Sequence, residues 1–146
     1  MPQNTYIFQA GGRTVYFDGD TLLIPELAEV ARRFPRIGLA LLPINGLRIR
    51  PLLGRKIVMG PEDAAELCGL LRPRVAVPIH YSFTRGPLND RVLLGYAGSP
   101  AAVCARFATA VATAAPGTTV RVLPPGEPLA IDAALEARPI HGRVAV

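Results

Sequence analysis

Two unbroken apolar runs of strand length constrain the fold most strongly. They are IGLALLPI at residues 37–44 and VAVPI within residues 74–81, and neither alternates with polar side chains. Such runs are typical of strands that are covered on both faces, as in the sheets of α/β proteins. Patterns with helical spacing lie before, between and after them, at residues 21–34, 61–72 and 100–115. The alternation predicts an α/β fold in which helices pack on a mixed sheet.

The chain opens with the pattern of a β-hairpin. TYIFQA and RTVYF are β-rich runs separated by Gly11-Gly12, a dipeptide suited to the positive φ angles of a tight turn. Residues 45–60 are rich in Gly and Arg and are predicted to be irregular. A last strand is predicted in TTVRVLPPGEPL. We predict one domain at residues 1–128 and a loose C-terminal tail at residues 129–146.

Composition limits the class of protein. Half of the 146 residues are hydrophobic, so the chain can bury a core of ordinary size. The sequence shows no signal-peptide pattern of basic residues followed by an apolar stretch. No apolar run approaches the roughly 18 to 20 residues of a membrane span. We expect a soluble, cytoplasmic protein. Cys68 and Cys104 lie in helical patterns and are expected to be reduced, packed thiols. The heavy use of Arg, Ala, Gly and Pro is typical of a GC-rich bacterial genome.

The net charge of +5 raises the question of nucleic-acid binding. The densest basic group, Arg48, Arg50, Arg55 and Lys56, lacks the interleaved aromatic side chains of a base-stacking surface, so nucleic acid is not the favoured partner. The planar fork of arginine also fits carboxylate and phosphate groups. Arg48 and Arg50 are therefore candidate binding residues for an anionic small molecule.

Two candidate metal ligands stand where predicted strands end. Asp20 follows the strand RTVYF, and His80 follows RVAVPI. Ligands of open α/β sheets collect beyond the carboxyl ends of strands, and a carboxylate with an imidazole suits zinc, manganese or iron. A solvated turn at Asp20 and a hydrogen-bonded structural histidine at His80 are the alternative interpretation. The metal hypothesis predicts that the two side chains converge on a common ion.

The segments TVYFDGDT, GLALLPI, MGPEDAAEL and VAVPIHYSF, in this order and spacing, resemble the second half of the metallo-β-lactamase fold. The resemblance is to the branch that contains the ascorbate-phosphate lactonases and the N-acyl-phosphatidylethanolamine phospholipase D type enzymes, and it covers about residues 5 to 128. It implies half of an αββα sandwich. It also implies that Asp20 is a catalytic carboxylate bridging two metal ions, and that His80 is the last histidine ligand of the second ion.

The same resemblance implies supporting roles for other residues. Thr21 would support the loop, and the helix opening formed by Met59, Pro61 and Glu62 would shape the pocket without binding metal. Asp18 stands where such enzymes usually have a small residue. We expect Asp18 to be a neighbour of the site or a solvent-facing group.

The sequence departs from the family in one large respect. It has no His-x-His-x-Asp-His motif, and its only other histidine, His141, lies in the tail and is not expected to be a ligand. Two protein ligands do not complete a catalytic zinc centre. We therefore predict a hydrolase of the ester, lactone or phosphodiester class whose active site is incomplete in the isolated chain. The chain would hold zinc, manganese or iron only when another segment completes the site, and otherwise none. A homodimer or a partner chain would supply the missing half. The alternative is a non-catalytic, self-associating binding or scaffold protein with the same fold.

Overall fold

The computed structural model describes residues 4–81 and 93–132. Helices and strands follow one another along the chain as β1 (Thr5–Ala10), β2 (Arg13–Asp18), α1 (Leu27–Arg33), β3 (Leu39–Pro43), β4 (Arg48–Ile49), a 3₁₀ turn (Arg50–Leu52), β5 (Arg55–Lys56), α2 (Pro61–Leu71), β6 (Val75–Ile79), β7 (Leu94–Gly95), α3 (Pro100–Ala114) and β8 (Thr119–Val120).

Five strands form a mixed sheet in the order β1-β2-β3-β6-β8. The hairpin partners β1 and β2 are antiparallel, and every other neighbouring pair is parallel. Gly11 and Gly12 have φ angles of 54° and 74°, as a tight hairpin turn between twisted strands requires. The predicted hairpin, the mixed sheet and the α/β class are confirmed.

The described helices pack against one face of this sheet. Tyr16, Ala40 and Leu42 point from the strands into a core shared with all three helices. The opposite face buries a smaller apolar cluster built on Leu39, Val75 and Val77, against which the segment after β8 packs through partly buried side chains. Because side chains alternate along a strand, the two continuous apolar runs fill both faces at once.

A second, small antiparallel sheet has three strands in the order β5-β4-β7. We call residues 48–56 together with 93–95 the flap. Arg48 pairs with Lys56 on one side and with Gly95 on the other. The prediction that residues 45–60 are wholly irregular was wrong, because strands of two residues are too short to show a period of two.

Other element boundaries differ from the predictions by a few residues. The first helical pattern was predicted over residues 21–34, whereas α1 begins at Leu27. Residues 24–28 first form a tighter turn, in which Leu27 N–H donates to the Ile24 carbonyl at 3.1 Å. The last strand is only two residues long. Cys68 is buried, Cys104 is half-buried and both are free thiols, as predicted. Within the described ranges, no helix is both long enough and apolar enough to cross a membrane.

The beginning of the predicted tail makes contacts with the domain. Leu129 packs against the smaller apolar cluster, and the Asp132 carboxylate lies 2.8 Å from the Arg13 guanidinium. The division between residues 1–128 and 129–146 stays a prediction. His141 lies outside the described residues.

Candidate functional site

The topology brings the ends of β2 and β6 to one edge of the sheet. Both strands run parallel to β3, which lies between them, so their carboxyl ends face the same side. Asp20 follows β2 after one glycine, and His80 directly follows β6. The Oδ1 atom of Asp20 lies 2.8 Å from the Nδ1 atom of His80. The structure therefore brings together the two residues proposed as metal ligands.

The backbone at His80 is in the left-handed region, with φ of 56°. His, Asn and Asp are the non-glycine residues that adopt this region most readily. The turn ends β6 and directs the imidazole toward Asp20. The side chains of His80 and Asp20 are 36% and 70% exposed, while the Nδ1 atom of His80 is itself buried.

The turn that carries Asp20 is anchored by main-chain hydrogen bonds. Thr21 N–H donates to the Gly19 carbonyl at 3.0 Å, and the Thr21 carbonyl accepts from Met59 N–H at 2.7 Å. Met59 is fully buried and immediately precedes the segment that opens α2. The position of Asp20 is thereby tied to the start of α2 as well as to the sheet.

Asp18 is fully buried, so the expectation that it could face solvent was wrong. It lies two residues after Tyr16 on β2, and residues at this spacing point to the same face of a strand, here the face covered by helices. Burial raises the pKa of Asp18 to about 6, although the neighbouring hydroxyl groups of Thr21 and Tyr16 lower it. Burial and the Asp18 charge in turn raise the pKa of Tyr16. These hydroxyl groups lie near the Asp18 carboxylate, but among the described residues none forms a hydrogen bond of standard geometry with it.

Charged side chains fix the start of α2. Lys56 Nζ donates to Asp63 Oδ2 at 2.5 Å, and the same oxygen accepts from Gly60 N–H at 2.8 Å. Glu62 is exposed and forms an ion pair with Arg106 of α3 at 2.6 Å. The carboxylates at this helix opening are thus used to hold α2 against the flap and α3.

The candidate anion-binding residues Arg48 and Arg50 lie on the flap and are exposed. Arg50 Nε donates to the Leu94 carbonyl at 2.7 Å, and Arg48 Nη1 donates to the Gly54 carbonyl at 3.4 Å. These bonds leave other guanidinium N–H groups on each residue directed away from the main chain. A role for either residue in substrate binding stays a prediction.

A cleft of about 290 Å³ adjoins this edge of the sheet. Its walls include Asn45, which follows β3, Tyr81, which follows His80, and Ser99, which caps the start of α3. Asn45 Oδ1 accepts from Leu47 N–H at 3.0 Å, and Tyr81 donates its hydroxyl proton to the Leu123 carbonyl. Sequence reasoning did not single out Asn45 or Tyr81, although their positions directly after two predicted strands were a usable signal.

The donors at this edge suit a metal ion but do not complete a site. In the part of the chain that the structure describes, no group of three or more His, Cys, Asp or Glu side chains can hold a metal ion together. Asp20 and His80 supply an oxygen and a nitrogen donor. Since a catalytic zinc site ordinarily has three protein ligands, at least one further ligand would have to come from other residues.

Known proteins with similar sequences share this region. A family model described as "Beta-lactamase superfamily domain" matches residues 3–81. A protein named UPF0173 metal-dependent hydrolase from Pelotomaculum thermopropionicum is 35% identical over 122 residues, which are 84% of this chain and 43% of that protein. A protein with the same name from Deinococcus radiodurans is 35% identical over 134 residues, covering 87% of this chain and 48% of its own.

The similarity extends to a solved structure. Igni18, described as a novel metallo hydrolase from the archaeon Ignicoccus hospitalis, matches with a TM-score of 0.57 and 29% identity, over 84% of this chain and 43% of that one. The chain thus spans less than half the length of these relatives. The family match covers more than half of this chain and includes both Asp20 and His80. The chain belongs to the β-lactamase superfamily.

Proposed function

We propose that this chain carries part of the metal centre of a metal-dependent hydrolase, with Asp20 and His80 as metal ligands. The observation that carries the proposal is the 2.8 Å approach of Asp20 Oδ1 to His80 Nδ1 across the intervening strand β3. The names of the similar proteins, which are metal-dependent hydrolases, support it. The specific branch of the superfamily belongs to the proposal, on the resemblance of the motifs alone.

The pair suits a metal because its two donor atoms are close, because each residue follows the end of a strand in the main sheet, and because the Asp20 side chain is exposed. Two ligands of one tetrahedral zinc ion, each at roughly 2.0 to 2.2 Å, stand roughly 3.3 to 3.6 Å apart. The two side chains, now 2.8 Å apart, would therefore separate slightly to admit the ion, without rearrangement of the main chain. Carboxylate and imidazole together suit zinc, manganese or iron. We propose zinc as the first ion to test.

The role of each residue follows from its position. A bound metal would act as a Lewis acid and lower the pKa of water at the site, which is the chemistry needed to hydrolyse an ester, lactone or phosphodiester. Asp20, anchored through Thr21 and Met59, would hold its carboxylate fixed toward the ion. His80 would present its ring from the end of β6. Arg48 and Arg50 would receive an anionic part of the substrate.

The remaining ligands are proposed to come from a second copy of the chain or from another polypeptide segment.

A specific observation keeps the scaffold function as a second candidate. β1 is an edge strand of the sheet, and it exposes 50% of Tyr6 and 59% of Phe8, whose stacked rings are 6.5 Å apart. Exposed edge strands favour pairing with another chain. Analytical ultracentrifugation with a Phe8→Lys variant tests this candidate, since loss of a dimer would support it and a monomeric wild type would exclude it.

Zinc titration of the purified chain tests the metal site. We expect Asp20→Ala and His80→Asn each to weaken zinc binding by at least about ten-fold, because each removes or displaces one donor. Glu66→Gln, which changes an exposed carboxylate on α2, is the matched control. Equal zinc affinities for all four proteins would overturn the proposal.

Imidazole NMR gives a second measurement that does not depend on activity. The chain has two histidines, so the ring signals of His80 and His141 can be assigned by substitution. Zinc should move the His80 signals in the wild type and leave them unmoved in Asp20→Ala. Zinc-induced movement of the His141 signals alone would place the metal elsewhere.

A further inference from the structure

We propose that the tip of the flap docks on anionic lipid surfaces, with its leucines inserted at the interface and its arginines against the phosphate headgroups. This inference is independent of the metal site and goes beyond the proposed hydrolase function. It rests on the exposure, the backbone conformation and the charge of residues 48–56 and 93–95.

The tip of the flap exposes three leucines. Leu53 is fully exposed, at 102% of its reference area, and Leu52 is 57% exposed. Leu93, on the other chain segment of the flap, is 44% exposed, and its carbonyl accepts from Arg50 N–H at 2.9 Å. Apolar side chains scattered singly on a surface are ordinary, but these three project from one small sheet.

The backbone at Leu53 adds a second observation. Leu53 has φ of 54° and ψ of 31°, and Gly54 follows with φ of 69°. Two successive residues at positive φ suit Asn, Asp or Gly, and a leucine in the left-handed region is disfavoured by its Cβ atom. Folding of the flap therefore gives no reason for a leucine at this position, whereas contact with an apolar phase does.

The charged side chains within residues 48–56 of the flap are all positive. Arg48, Arg50 and Arg55 are exposed, and residues 47–57 contain no acidic side chain. The fourth cation, Lys56, is neutralised by Asp63. The main-chain bonds of Arg48 and Arg50 hold two guanidinium groups in place beside the tip, with N–H groups left over for phosphate oxygens.

This combination of side chains fits a lipid surface better than the alternatives. Leucine is under-represented among the residues that dominate protein interfaces, where Trp, Tyr and Arg prevail. Surfaces that bind single-stranded nucleic acid use aromatic stacking, and the described residues of the flap include no aromatic side chain. Leucines flanked by basic residues are the pattern of segments that lie in a membrane interface and are attracted to anionic lipid.

Vesicle co-sedimentation tests the proposal on the intact chain without added metal. The probes are vesicles of phosphatidylcholine alone and of phosphatidylcholine mixed with phosphatidylserine. We expect binding to the mixed vesicles only, and weaker binding as salt is raised. Leu53→Asn should weaken the partition by roughly ten-fold or more, because one leucine is no longer inserted. Arg55→Gln should weaken it by about five-fold.

The variants and controls separate docking from misfolding. Asparagine tolerates the left-handed conformation at position 53, so Leu53→Asn is expected to fold at least as well as the wild type. Leu70→Ser replaces another exposed leucine, 43% exposed, near the C-terminal end of α2. Arg36→Gln removes an exposed charge just before β3, at the other end of that strand from the flap. Both controls should bind vesicles as the wild type does.

Three results would overturn the proposal. They are no binding to the mixed vesicles, equal loss of binding in the control variants, and vesicle binding that Leu53→Asn leaves unchanged. Binding of a short DNA duplex that depends on Arg55 but not on Leu53 would assign the flap to nucleic acid instead. Because no metal is added, none of these outcomes bears on the roles of Asp20 and His80.

Discussion

Asp18→Asn should remove a pH-dependent loss of stability that the wild type carries. The Asp18 carboxyl is fully buried, and its pKa is raised from an ordinary 3.8 to about 6 in the folded chain. Between these two pH values the folded state binds more protons than the unfolded state, so the free energy of unfolding falls as pH rises through the window. The difference between 3.8 and about 6 corresponds to about 3 kcal/mol in total. Asparagine has the same shape and no ionisation.

The measurement is urea unfolding of both proteins, followed by circular dichroism at several pH values. Between about pH 4.5 and about pH 7.5, the wild type should lose about 2 kcal/mol of its free energy of unfolding through Asp18. This loss is equivalent to roughly 6 to 8 °C in Tm for a chain of this size. The stability of Asp18→Asn relative to the wild type should rise by this amount across the range. Glu66→Gln removes an exposed carboxylate and should show no such trend. A parallel pH dependence for Asp18→Asn and the wild type would refute the buried, charged state of Asp18.

Two further predictions concern packing. Gly46 has φ of 60°, and a Cβ atom there would lie 2.8 Å from Ala97 Cβ, so Gly46→Ala should cost roughly 1 to 3 kcal/mol in urea unfolding. Gly117→Ala, where a Cβ would meet nothing within 4 Å, is the control, and equal losses would contradict the clash. Phe107 is fully buried in α3, and Phe107→Ala should cost about 3 to 5 kcal/mol, whereas Leu70→Ala at an exposed position should cost below about 0.5 kcal/mol.

The sequence predicted the main sheet well because its signals are strong and local. Gly11-Gly12 indicates a hairpin by backbone conformation alone, and the apolar runs at residues 37–44 and 74–81 contain the two central strands. The convergence of Asp20 and His80 followed from the rule that parallel strands end at one edge. The alternation of strands and helices along the chain was enough for this prediction, and the exact pairing of the strands was not needed.

The remaining features depend on information that a local pattern lacks. The flap pairs Arg48 with Gly95 across more than forty residues, and neither segment is long enough to show strand periodicity. The burial of Asp18 was misjudged because the expectation was drawn from the family resemblance, in which this position usually has a small residue, and not from the periodicity of the strand. Its spacing of two from Tyr16 on an alternating strand would have placed it on the helix-covered face.

The left-handed backbone at position 80 has a consequence for how this edge of the sheet tolerates mutation. Beside glycine, the residues that accept such a φ angle most readily are asparagine, aspartate and histidine, and each carries an atom able to coordinate a cation. If position 80 were substituted at random and only the folded variants were kept, side chains able to coordinate a cation would therefore be enriched among them. The backbone conformation alone thus favours metal-coordinating residues at position 80, before any selection for catalytic activity.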